Sequence, residues 1–180
     1  MKSLLTALAL LLLLPASASS AELDVANSVV SWKGSKVTGS FHEGNLTASS
    51  SKLNVDKGML KGGSIVFDMN TLTVTDIEGG SAKKFLSHMR STDFFDVDNH
   101  ATTTIEFSVE GKEAAGKLTI KGISKPITFP IRKEGKKWVG VATFDRTKYG
   151  ITYRSGNFFE NLGDKMIKDE VEISFSLAIK

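Results

Sequence analysis

The C-terminal segment of this chain alternates apolar and polar side chains with a period of two. Its apolar set is Val171, Ile173, Phe175, Leu177 and Ile179, and its polar or small set is Glu170, Glu172, Ser174, Ser176 and Ala178. Because successive side chains of a β-strand point to opposite faces of the sheet, this pattern predicts a strand with one dry face.

The same alternation recurs along most of the chain. It predicts strands near residues 28–37, 40–50, 52–60, 63–72, 102–110, 115–123, 125–133, 137–145 and 168–179. The count is eight or nine, since 52–60 is either a strand or a continuation of its neighbour. Turn-forming residues separate the strands at 57–58, 110–112, 124–126 and 134–136. Such short connections predict antiparallel hairpins. The pattern fits both a two-sheet sandwich and a closed barrel.

Two segments interrupt the alternation. Residues 80–91 place Phe85, Leu86 and Met89 at helical spacing, and Ser81 is a candidate N-cap. Residues 156–166 are predicted to form a loop with at most a short helical turn. No linker divides the chain, so residues 22–180 are expected to form one domain.

The N-terminus has the three-part layout of a secretory signal peptide. Lys2 supplies the positive charge, residues 3–14 are apolar, and a small-residue segment follows. The apolar run is shorter than the roughly 20 residues that span a bilayer. We expect residues 1–21 to be a cleaved leader, with cleavage after Ala21, or after Ala18 as the second candidate. The mature chain has no further segment apolar enough for a transmembrane anchor.

Composition narrows the compartment and the partners. The chain contains no cysteine, so it has neither a disulfide framework nor the cysteine on which a bacterial lipoprotein is acylated. Its 23 basic and 20 acidic side chains are mixed along the length, without the basic cluster of a nucleic-acid-binding protein. These features predict a periplasmic or secreted protein that does not bind nucleic acid.

No arrangement of residues typical of an enzyme is present. His42, His88 and His100 have no metal-ligand spacing, and no serine lies in a G-x-S-x-G elbow. There is no phosphate loop or dinucleotide fingerprint. We therefore expect no catalytic residue, no metal and no cofactor, and predict that the protein is not an enzyme.

Residues 144–151 are rich in charged and aromatic side chains. Asp145 and Arg146 are expected to form an ion pair where a strand ends, with Gly150 permitting a tight bend. A structural corner is favoured over the alternative, a polar rim for a ligand headgroup.

Six segments form a recognisable series of motifs in order along the chain, namely residues 32–34, 62–70, 73–76, 86–97, 116–126 and 144–151. Together they resemble the YceI-like family of lipocalin-like, polyisoprenoid-binding bacterial exported proteins. Ala101 stands where the family commonly has proline, and Met89 where it usually has leucine. These departures put fine ligand specificity in doubt and leave the fold unaffected.

The resemblance implies an eight-stranded antiparallel barrel with one short helix at one end, often as a homodimer. It implies a lumen that sequesters or carries a polyisoprenoid, a quinone-like molecule or another amphiphilic lipid. The alternative is a periplasmic stress-response or interaction protein whose barrel is filled by side chains and takes no small ligand. From the dry faces and the helix, we expect the lumen to be lined by Phe67, Met69, Leu86, Met89, Phe94, Phe107, Phe129, Phe144 and Phe175.

Overall fold

The computed structural model describes residues 19–180, which form ten β-strands and one α-helix. The strands are β1 (Ser19–Ala21), β2 (Val29–Lys36), β3 (Phe41–Asn45), β4 (Thr47–Asp56), β5 (Met59–Asp68), β6 (Thr102–Glu110), β7 (Glu113–Ile120), β8 (Ile123–Glu134), β9 (Lys137–Asp145) and β10 (Ile167–Ala178). Helix α1 (Gly79–Arg90) lies between β5 and β6, and short 3₁₀ turns occupy Val25–Asn27, Met69–Thr71, Arg146–Tyr149 and Gly163–Lys165.

All ten strands belong to one antiparallel sheet with the order β1-β4-β5-β6-β7-β8-β9-β10-β2-β3. The prediction of an all-β antiparallel fold with one short helix is confirmed. The expected count of eight strands is wrong, for two local reasons. Only Leu46 separates β3 from β4, so the segment predicted as 40–50 divides between two strands. Residues 19–21, predicted to end the leader, add β1 beside β4.

The sheet is strongly curled, and its ends are β1 and β3, which share no ladder. The hydrogen-bonded strand order therefore describes a curled sheet and not the expected eight-stranded closed barrel. The leader predicted over residues 1–21 lies outside the described residues, except for 19–21. Among the described helices, none is both long and apolar enough to cross a membrane.

The turn predicted at residues 124–126 lies three residues earlier. Lys121 and Gly122 have φ angles of 51° and 72°, and Ile120 pairs with Ile123 across this tight turn. Pro126 is inside β8, where proline is tolerated because only one side of this stretch carries a ladder. The pairing of β8 with β9 begins at Ile131.

Helix α1 begins before the predicted N-cap. Glu78 occupies the N-cap position without a side-chain hydrogen bond, so the assignment of Ser81 as the cap is wrong. Gly79 has a φ angle of 60°, which a residue with a side chain rarely adopts, and it turns the chain into the helix three residues before the start that an N-cap at Ser81 predicts. The C-terminal half of the helix faces the interior, where Met89 is buried.

Candidate ligand-binding cavity

The curled sheet surrounds an internal cavity of about 420 Å³. Its wall includes residues from β2, β3 and every strand from β5 to β10, together with helix α1. Strands near opposite ends of the hydrogen-bonded order therefore face one common space, and the interior of the sheet is hollow.

The inward faces of the strands explain why the alternating residues are only partly buried. Val171, Ile173 and Phe175 of β10 lie on the cavity wall, and each is half-buried rather than fully buried. Phe107 of β6 and Phe144 of β9 have the same intermediate exposure. In a close-packed core such side chains would have neighbours on all sides. Here they border empty space.

One part of the wall is a cluster of phenylalanine rings. Phe129 of β8 lies 6.2 Å from Phe107 and 5.6 Å from Phe175, measured between ring centroids, with tilted or perpendicular rings. These are favourable edge-to-face geometries. The cluster gives the cavity an apolar, aromatic surface contributed by three strands.

Helix α1 is attached to β2 and β3 by aromatic and polar contacts. The Phe85 ring stacks on Trp32 at 6.1 Å and contacts the His42 ring at 4.5 Å. Trp32 Nε1 donates to the carbonyl of Thr73 at 3.1 Å, and His42 Nδ1 lies 2.8 Å from Asp76 Oδ2. The segment that precedes the helix is thereby fixed, and with it the helical side of the cavity.

His88 and His100 each lie next to an aspartate of the loop that follows helix α1. His88 Nε2 lies 2.9 Å from Asp93 Oδ2, and its ring packs edge-on against Phe94 and Tyr153. His100 Nε2 lies 3.9 Å from Asp96 Oδ2. Within residues 19–180, no group of three histidine, aspartate or glutamate side chains is placed to hold a metal ion.

The structure brings together eight of the nine residues expected to line the lumen. Those on the wall are Phe67, Met69, Met89, Phe94, Phe107, Phe129, Phe144 and Phe175. Leu86 is the exception and does not border the cavity. Phe85 and Met89 are four residues apart and both reach the cavity, whereas Leu86 packs against the core beside it.

Many residues of the cavity wall are aliphatic and are absent from the predicted set, which consists mainly of phenylalanines. The period-two pattern contains the signal for Ile65, Ile105 and Ile173, which alternate with polar neighbours and line the cavity. Trp32 and Phe85 carried no such signal. Their positions depend on how the helix folds back onto β2.

Arg146 lies at the wall, but its guanidinium is occupied by the protein itself. It is 3% exposed and donates hydrogen bonds to the carbonyls of Ile151, Tyr153, Ile167 and Lys168, and to Asp169 Oδ1. Burial lowers the pKa of Arg146, while Asp169 and Asp145 act in the opposite direction. The favoured structural corner agrees with this geometry.

The expected ion pair between Asp145 and Arg146 is not formed. Arg146 pairs instead with Asp169 at 3.3 Å. Asp145 accepts hydrogen bonds from the backbone N–H and the hydroxyl of Thr147, at 2.9 and 2.6 Å, and does not line the cavity. Asp145 acts as the N-cap of the short turn that follows β9.

Solved structures with this fold come from several bacteria. The Burkholderia cenocepacia protein BcnA has a TM-score of 0.64 and 21% identity, over 88% of this chain and 99% of that chain. A polyisoprenoid binding domain from Saccharophagus degradans has a TM-score of 0.62 and 14% identity, over 91% of this chain and 99% of that chain. Because the sequence identities are this low, these structures show a shared fold and no more.

The sequence comparisons place the chain in a family. UPF0312 protein SAB2563 of Staphylococcus aureus is 30% identical over 159 residues, which cover 80% of this chain and 86% of that protein. The model of the YceI-like domain matches residues 21–179, nearly the whole of the part that the structure describes. The chain therefore belongs to the YceI-like family.

Proposed function

We propose that this protein sequesters or carries an amphiphilic lipid, with a polyisoprenoid or quinone-like tail, inside its curled sheet. The observation that carries the proposal is the hollow, aromatic-lined cavity of about 420 Å³. A binding role for the family is supported by the relative described as a polyisoprenoid binding domain. The signal peptide predicted over residues 1–21 favours export to the periplasm or beyond the cell.

The size of the cavity suits a tail of moderate length. An engineered cavity of about 150 Å³ in another protein holds one benzene molecule, which has six carbons. By that scale, roughly 15 to 20 carbons fit within this cavity, which is about three or four isoprene units. Each buried methylene contributes about 0.8 kcal/mol, so such a tail supports affinity near the micromolar range after association costs.

We further propose that β3 and β4 act as one bent segment that joins β2 to β5 on one side of the ligand. The backbone N–H of Leu46, between these strands, donates to the carbonyl of Val30 at 3.0 Å. The first half of the segment pairs with β2 and the second half with β5. A continuous wall would keep water from the apolar tail along its length.

The test is a variant that fills the cavity without disturbing the outside of the sheet. Ala142 is a buried residue of β9 on the cavity wall, opposite Ile173 of β10. We expect Ala142→Phe to fold and to bind geranylgeraniol at least about tenfold more weakly, because the new ring occupies the space of the tail. Quenching of Trp32, which borders the cavity, reports binding.

The matched control is Ala115→Phe, the same substitution at an exposed position of β7. It should bind as the unmodified protein does. If the unmodified protein itself binds neither isoprenoid alcohols nor fatty acids, the proposal is wrong and the interaction-protein alternative takes its place. If Ala142→Phe binds as tightly as the control, the ligand lies elsewhere.

A further inference from the structure

The cavity wall has a one-sided charge. Within residues 19–180, four basic or potentially basic side chains border it, namely Lys36, His42, Arg146 and Lys168. No aspartate or glutamate among the described residues borders it, although the chain has 20 acidic side chains. Binding of a neutral hydrocarbon requires no excess of basic groups, so the basic side chains need a separate explanation.

Two of the four basic groups already have partners. The guanidinium of Arg146 donates to four carbonyls and to Asp169. The His42 ring is paired with Asp76 at 2.8 Å. By contrast, the ammonium groups of Lys36 and Lys168 make no ion pair or hydrogen bond within residues 19–180, and no carboxylate of that range lies within 4.0 Å of either.

The two lysines lie at the same end of the paired strands β2 and β10, and both border the cavity. Lys36 ends β2 and lies opposite Ile167 of β10, and Lys168 is the next residue on that strand. Lys36 and Ser40 flank the β2–β3 turn, where the N–H of Lys36 donates to the carbonyl of Ser40 at 2.7 Å. Phe41, which follows, is 42% exposed although it borders the cavity. This end of the wall therefore combines two lysines with the hydroxyls of Ser35 and Ser40.

We propose that the ligand carries an anionic headgroup, a phosphate or a carboxylate, which Lys36 and Lys168 hold at this end of the cavity while the tail lies within. This inference rests on the proposed function and specifies its ligand class. An ammonium group gives an oxyanion a charge-assisted hydrogen bond, which is stronger than a neutral one. The absence of carboxylates from the described wall removes the repulsion that an anion would otherwise meet.

The test compares ligands that share a tail and differ in charge. Geranylgeranyl monophosphate is titrated against geranylgeraniol, and palmitate against hexadecanol, with the quenching of Trp32 as the readout. We expect the anionic member of at least one pair to bind about tenfold more tightly at low ionic strength. The preference should shrink in 0.5 M NaCl, because salt screens partly exposed charges. A preference in one pair only identifies phosphate or carboxylate as the headgroup.

The variant Lys36→Gln/Lys168→Gln should lose this preference, so that each acid binds no more tightly than its own alcohol. The control Lys52→Gln/Lys61→Gln removes the same charge from exposed positions of β4 and β5 and should keep it. Equal binding of acid and alcohol, or a preference that survives in the double variant, would overturn the inference and leave the proposed function standing. Failure of every ligand to bind would overturn both.

Discussion

Arg146 connects three segments of the chain through hydrogen bonds from its side chain. Its guanidinium joins the turn after β9, the irregular segment around Ile151 and Tyr153, and the start of β10. The carbonyls that accept from it are buried or partly buried, and an unsatisfied buried polar group is costly. A residue that the sequence suggested as a possible headgroup contact is thus structural.

Replacement of Arg146 tests this structural role. We expect Arg146→Met to lower the free energy of unfolding by about 3–5 kcal/mol, because it removes the cationic partner of Asp169 and the donor to several buried or partly buried carbonyls. Urea-induced unfolding measures the change. Arg132→Met is the control, since Arg132 is 62% exposed and pairs only with Glu134, and it should cost less than about 1 kcal/mol. A similar small loss at Arg146 would contradict the assigned role.

Asp76 gives a pH-dependent contribution to stability. Burial raises the pKa of its carboxyl group, but hydrogen bonds from the Glu43 N–H and from His42, with the charge of His42, outweigh burial and leave the pKa below its ordinary value. A carboxyl whose pKa is lowered on folding stabilises the protein above its unfolded pKa of about 3.9. That stability is lost as the pH falls through the lower, folded pKa.

Asp76→Asn should therefore destabilise the protein in a pH-dependent way. We expect a loss of about 1 kcal/mol at pH 7, which disappears by about pH 2, where the aspartate is protonated as well. Unfolding in urea at both pH values makes the comparison. Asp98→Asn, at an exposed position, is the matched control and should show no such difference. A loss that stays constant with pH would mean that the carboxylate charge plays no part.

At the level of the elements, the sequence predicted strands well where one face is polar. The alternation located β6, β9 and β10 to within one residue, because burial on one side imposes a period of two. It did not separate β3 from β4, since the change of partner at Leu46 leaves the alternation unbroken. It also missed β1, which is three residues long and depends on its pairing with β4.

The helix was located to within one residue, but its inward face was only partly recognised. Phe85, Leu86 and Met89 all fit an apolar stripe, and the sequence does not say which edge of the stripe meets the cavity. The stack of Phe85 on Trp32 and His42 decides it, and this is a tertiary contact. Leu86 was therefore misassigned to the wall, while Phe85 was left out.

Gly44 of β3 is where the segment before the helix comes closest to the sheet. A Cβ atom here would overlap the carbonyl of Thr73, the acceptor for Trp32 Nε1, and would lie 2.9 Å from Val74 Cα. We expect Gly44→Ala to destabilise the protein by about 1–3 kcal/mol, as overpacking against backbone usually does. Gly34→Ala on the neighbouring β2 meets nothing within 4 Å and should change stability by less than about 0.5 kcal/mol. Thermal unfolding of the two variants compares them, and equal effects would contradict this close approach.

At the scale of the whole molecule, the apolar residues do two jobs. Fully buried residues away from the cavity, such as Leu53, Leu60 and Tyr149, pack in the ordinary way and stabilise the sheet. The half-buried set around Phe107 and Phe175 instead borders the cavity, and under the proposed function it would gain its burial from a bound ligand. The sequence contained both sets but not the distinction between them, because packed and hollow interiors share the same alternation.

A ligand that fills the cavity should stabilise the folded protein by mass action. At a free concentration 100 times its dissociation constant, the gain is about 2.7 kcal/mol. Loss of bound lipid during purification would accordingly lower the unfolding temperature. Protein purified under conditions that retain a bound lipid should therefore unfold at a higher temperature than protein from which the lipid has been removed.

The most direct measurement is native mass spectrometry of the mature protein purified from a bacterial periplasm, followed by organic extraction and identification of the released molecule. We predict one bound lipid per chain, with an apolar tail, and its loss in Ala142→Phe but not in Ala115→Phe. The same spectrum reports whether two chains associate, as the family resemblance implies. A bare polypeptide, still bare after incubation with isoprenoid phosphates, isoprenoid alcohols and fatty acids, would contradict the lipid-binding account.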